Sequence, residues 1–159
     1  MELVGVRVEL PSNSPIVLLR EQADTARLLP IFIGGPEATS IALAVENVET
    51  PRPMTHDLLK NILDELGLTL ARVVVTDLKD KTFYAELEIE GPDSSHRISS
   101  RPSDAIALAV RTGTPIYAEE SVLDAAGYRA DADGEGEDEE VLEQFREFID
   151  SVAPEDFDG

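Results

Sequence analysis

The sequence has no cysteine, and this absence excludes three classes of chemistry together: a disulfide framework, thiol catalysis and cysteine-ligated zinc or iron–sulfur centres. Tryptophan is also missing, and aromatic residues make up only 5% of the chain. No apolar run approaches the roughly 20 residues of a membrane-spanning helix. The start, Met1-Glu2-Leu3-Val4, lacks the basic opening of a secretion signal, so a cytoplasmic protein with no membrane contact is expected. Positive charge is scarce: 13 Lys and Arg stand against 33 Asp and Glu, a net charge of −20. That balance disfavours non-specific nucleic-acid binding, which needs clustered cations.

What is present is the composition of a soluble globular protein, 42% hydrophobic and 29% charged over 159 residues, enough for a single core. The charge is uneven. The segment from Asp131 onward supplies −12 of the −20, so an ordinary, mildly acidic region over 1–130 carries an acidic appendage. Residues 131–140 are Gly and acid with nothing to bury and read as a disordered linker. Residues 141–159 carry Val141, Phe145, Phe148, Ile149 and Val152 at helical spacing, an amphipathic C-terminal helix and tail. An acidic run held near the main domain would restrain access of a polyanion, or serve only as a solubilising linker.

Periodicity predicts the elements. Val4, Val6, Val8 and Leu10 alternate with polar residues, and Ile16–Leu19 and Leu28–Ile33 are further apolar runs, a three-stranded meander. A helix follows Gly34-Gly35-Pro36, with Ala38, Ile41, Ala42 and Val45 on one face. A second helix is predicted from Thr55 as N-cap, with Leu58, Leu59, Ile62, Leu63 and Leu66 as its buried stripe. A hairpin turning at Lys79-Asp80-Lys81, a short strand around Ile98, and a central apolar helix from about Ser103 to Thr112 closed by Gly113 come next. Ile116–Ala118 reads as a strand and Ser121–Ala126 as a helical turn. Ile41-Ala42-Leu43-Ala44-Val45 recurs letter for letter at 106–110, from duplication or from a shared need for small residues in packed helices.

No Walker loop, dinucleotide fingerprint, nucleophile elbow or zincin motif occurs. Of the two histidines, His96 lies in a polar stretch and reads as a solvated turn residue. His56 opens a helix beside Asp57, where it can act as a general base, hold a metal with a carboxylate, or simply sit at the surface. Ser100-Arg101-Pro102-Ser103-Asp104 can bind an anion at a helix start, or Asp104 can hold a hard cation. It can equally be a cap at Ser103 with Arg101 paired to a carboxylate. Glu37 with Thr39 marks a third helix start, and Thr76–Asp80 reads as a hairpin turn.

Leu29–Gly34, Pro51–Leu58, Asp77 with Thr82–Ala85, and Ser100–Ala107 together resemble the bifunctional nuclease family, a resemblance that runs from about residue 2 to residue 127. The ending Phe145–Asp150 with Pro154–Phe157 resembles the tail of its bacterial members. The resemblance implies an α+β domain with a mostly antiparallel, barrel-like sheet and three main helices, hydrolysis of DNA and RNA, and a homodimer. Within that frame His56 is expected as general base or ligand. Asp57, Asp104 and Glu37 are expected to hold Mg²⁺ or Mn²⁺. Arg101 is expected to bind the scissile phosphate with Ser103, and Arg52 and Thr55 to contact substrate. The competing reading is a non-catalytic dimeric module that uses the same groove for a small anion or a protein partner.

The assembly expectation is directly measurable. Light scattering at micromolar concentration should return twice the 17.3 kDa of one chain; a purely monomeric mass would refute it.

Overall fold

The computed structural model describes residues 1–9, 14–23 and 26–129. The acidic linker expected at 131–140 and the C-terminal helix expected at 141–159 lie outside the described residues. The described chain is α+β, with four helices and eight strands in two four-stranded sheets. Neither sheet closes on itself, so barrel-like is too strong a description of the antiparallel-dominated strands. The chain divides into two compact units, Met1–Pro51 with the segment from Ala126, and Arg52–Ala125.

The first unit begins with the expected meander, β1 (Glu2–Glu9), β2 (Ser14–Arg20) and β3 (Arg27–Phe32). Its order is β1-β2-β3-β8, all antiparallel, with the two-residue β8 (Tyr128–Arg129) on the edge. Strand alternation sends Val6, Val17, Leu19, Leu29 and Ile31 to one face, where all are buried. Helix α1 (Gly35–Val45) packs on β1 and β2 and buries Ala38, Ile41 and Ala42. Its small residues allow close approach to the strands. Val45, expected on that buried face, is exposed at the last helical position.

The second unit contains α2 (Thr55–Glu65), β4 (Thr69–Lys79), β5 (Thr82–Glu90), β6 (Ser95–Ser100), α3 (Pro102–Thr112), β7 (Ile116–Ala118) and α4 (Glu120–Ala126). Its sheet runs β6-β5-β4-β7, with β7 parallel to β4. The β4–β5 hairpin turns on Asp80 and Lys81, both at positive φ, the pair that a two-residue primed turn demands. Helix α3 packs on β4 and β5 and buries every residue from Ala105 to Ala109, as its all-round apolar character requires. The repeated Ile-Ala-Leu-Ala-Val therefore occupies the same place in each unit: the helix that follows a three-stranded antiparallel meander.

Three local expectations are corrected. Met54, not Thr55, is the N-cap of α2, because the Asp57 carboxylate accepts the Met54 N–H at 2.9 Å and Thr55 is already helical. His96 stands in β6 rather than in a turn, opposite Ile89, though it is exposed as expected. Leu58, Leu59, Ile62 and Leu66 are not buried; Leu66 is 65% exposed. The helix packs against α3 through a different edge, and His56 is its one buried residue. Helical spacing specifies an apolar face, but not whether another part of the chain covers it.

Gly113 ends α3 at φ 65°, in left-handed backbone that a Cβ disfavours. A Cβ there would meet nothing within 4 Å. Gly113→Ala should therefore cost about 1–2 kcal/mol through backbone strain alone, read as a lower urea midpoint at unchanged slope. An unchanged midpoint would refute the assignment.

Candidate functional site

The polar residues singled out in the sequence meet where α2 and α3 begin. His56 is the second residue of α2 and Asp57 the third; Asp104 is the third residue of α3. Acids in a helix's first turn face unsatisfied N–H groups and the positive end of the dipole, which favours their ionised form. Helix packing then joins the two starts. His56 Nε2 lies 3.1 Å from Asp104 Oδ1, across 48 residues of sequence. His56 is 6% exposed, and the carboxylate is its link to a more open surface.

Asp104 also receives Arg101. The guanidinium donates from Nε to Oδ2 at 2.7 Å and from Nη2 to Oδ1 at 3.0 Å, a bidentate pair. Arg101 is the N-cap residue of α3, its carbonyl taking the Ala105 N–H at 3.1 Å, and its side chain is 64% exposed. The cluster thus runs from a buried imidazole through a shared carboxylate to an exposed guanidinium. Ser103, expected to assist Arg101 or to cap, is instead a buried residue inside α3, and no side chain caps that helix.

Asp57 belongs to a second couple. Arg111, from the last turn of α3, donates Nε to Asp57 Oδ1 at 2.5 Å and Nη1 to its own helix carbonyl at Ala107, 2.9 Å away. This arginine, almost fully buried, was missed in the sequence. Its trace there is a cation directly following the apolar run Ala105–Val110, where a long charged side chain needs a partner. Burial by itself raises the Asp57 carboxyl, but hydrogen bonds from Arg111 and the Met54 N–H outweigh it and hold the group below its ordinary value. At Asp104 burial again acts upward, and the hydrogen bonds and charge of Arg101 and His56 again win.

Arg52 lies exposed on the approach to α2, and Thr55, also exposed, is the first residue of the helix. Glu37 lies in the first turn of α1, in the first unit, where its carboxylate folds back over Gly34. Among the described residues, no three His, Asp or Glu side chains gather as a metal-holding group. None of the described helices is long and apolar enough to cross a membrane.

Residues 17–131 match the family model described as the bifunctional nuclease domain. An uncharacterized protein of Mycobacterium tuberculosis is 46% identical over 162 residues, covering 99% of this chain and 96% of its own length. Bifunctional nuclease 2 of Arabidopsis thaliana is 31% identical over 125 residues, 76% of this chain but 38% of the plant protein. Bifunctional nuclease 2 of Oryza sativa subsp. japonica is 29% identical, with 79% and 40% covered. The chain therefore spans about two fifths of the plant proteins it matches.

The two depressed carboxylates make a prediction about acid stability. A group whose folded pKa lies below its unfolded value contributes stability above the unfolded pKa and loses it as pH falls through the folded one. Both directions at Asp57 and Asp104 start from 3.8, so stability should drop as pH falls below about 4. Asp104→Asn should be less stable than the parent at neutral pH, and the gap should narrow on acidification. Urea unfolding at stepped pH measures it; a gap constant with pH would remove the electrostatic account.

Proposed function

The chain belongs to the bifunctional nuclease domain family, and on that premise we propose that it hydrolyses phosphodiester bonds of DNA or RNA at the start of α2 and α3. The observation that carries this reading is the line from His56 through Asp104 to Arg101. Hydrolysis needs a group that takes a proton from water and a cation that holds the phosphate. With Nε2–H donating to Asp104, Nδ1 of His56 is the nitrogen that accepts the proton. The carboxylate fixes the ring and stabilises the imidazolium that forms as the water oxygen bonds to phosphorus; the bond from phosphorus to the leaving sugar oxygen breaks, and that oxygen takes a proton from solvent. Arg101 exchanges one carboxylate contact for a phosphate oxygen, for which its planar fork is suited.

A Mg²⁺ or Mn²⁺ ion fits this donor set poorly. To reach Asp57 and Asp104 it would have to displace Arg111 and Arg101 from carboxylates that are already compensated. The reading therefore routes no step through a metal. A homodimer remains part of the proposal, supported by the outward apolar face of α2.

A second reading, a non-catalytic module that takes a small anion or a protein partner at Arg101, is favoured by the deep burial of His56 and the net charge of −20. Cleavage of a labelled single-stranded oligonucleotide by highly purified protein separates the two. His56→Ala with Asp104→Ala should lower the rate at least a hundredfold. Arg101→Lys should lower it about tenfold or more at unchanged melting temperature, because an ammonium cannot reproduce the fork. EDTA should leave cleavage intact, and sensitivity to it would assign a metal after all. Full activity in the double variant would end the nuclease reading at this site.

A further inference from the structure

The first unit carries an apolar groove unrelated to the His56 cluster. It measures about 260 Å³ and is lined by Arg7, Ile16, Leu18, Pro30, Phe32 and Tyr128. Register explains the company. Arg7 pairs with Ile16 and Ile16 with Phe32, Leu18 with Pro30, and Leu28 with Tyr128. Alternation then places the lining residues on one face of the sheet, opposite the face that α1 covers. Ile16 and Leu18 form a buried floor, whereas Phe32 is 60% and Tyr128 42% exposed. An exposed phenyl ring is costly unless something covers it. In a chain so poor in aromatics, two on the rim of one groove are more than scattered exposure.

We infer that this groove is a stacking platform for unpaired bases of a single-stranded nucleic acid, with Arg7 holding the adjoining phosphate. The class of polymer rests on the nuclease reading; the site rests on the groove. Three observations favour bases over another occupant. The rim offers two π-faces, which take any base. They root at positions four residues apart along β3, about 13 Å at strand spacing, so two bases of an extended strand with one nucleotide between them can take one ring each. The one cation lining the groove, Arg7, has no ion pair or side-chain hydrogen bond to any described residue. A protein of net charge −20 cannot hold a polyanion by field alone. Stacking is short-ranged and needs no positive field, so it is the form of attraction open to this surface.

Fluorescence anisotropy with a labelled oligothymidine and with the matching duplex tests the inference on the full chain. The single strand should bind more tightly, because duplex bases are already stacked. Phe32→Ala and Tyr128→Ala should each weaken single-strand binding about tenfold, and Tyr128→Phe should restore it. Arg7→Gln should weaken it and flatten a salt dependence that is already shallow, about 0.7 in log–log slope for one phosphate. Melting curves check the fold; if an aromatic variant melts early, Arg7→Gln gives the same reading. Equal binding by the alanine variants, equal affinity for duplex, or a change of molecular mass in place of a change in binding would overturn the platform, the last by assigning the groove to a second copy. Cleavage assayed in the same preparations keeps the two proposals apart. Wild-type cleavage with no aromatic effect on binding removes the platform and leaves the nuclease. An aromatic effect on binding with no cleavage by the parent does the reverse.

Discussion

Two carboxylates in first helical turns tie α2 to α3 in the second unit. Asp57 and Asp104 are each placed where the helix dipole favours an anion, and each is partly removed from water. Charges so placed must be compensated or protonated. Here they are compensated across the α2–α3 packing, Asp57 by Arg111 and Asp104 by His56 and Arg101. The same pairs that hold α2 on α3 therefore put an imidazole, a carboxylate and a guanidinium in one line. Structure and candidate chemistry share their atoms.

That sharing has consequences for how the site works. A carboxylate holding a bidentate guanidinium is a poor ligand for a hard cation but a good orienter for an imidazole. Arg101 is the exposed member of the cluster, whereas Arg111 is nearly enclosed and tied to its own helix backbone. The two arginines thus divide into one that can meet a ligand and one that locks the helices. The acidic character of the chain restricts the rest. Cations are few, and the exposed apolar surface of the described residues includes the outer face of α2 and the rim around Phe32 and Tyr128.

Much of the architecture was legible in the order of residues. The three-stranded meander, the central α3, the hairpin at Lys79–Lys81 and the closing Gly113 follow from alternation, helical spacing and residues suited to left-handed backbone, all local properties. His56, Asp57, Arg101 and Asp104 were also legible as candidates, because Ser, Thr, acids and cations at helix starts are recognisable locally. The pairing of His56 with Asp104 was not, since nothing in a sequence places residues 48 apart within 3.1 Å of each other. Arg111 was overlooked for the same reason: its partner lies on another helix, 54 residues away.

The sequence by itself determined most of the strand and helix segments, which faces are apolar, and that cysteine chemistry is absent. Only the tertiary structure decided that the apolar face of α2 points outward, that Ser103 is buried instead of capping, and that both acids are already neutralised. The physical reason is the range of the forces involved. Backbone propensity, capping and amphipathic period act within about one helical turn or one strand pair. Burial and charge compensation depend on what the rest of the chain brings alongside.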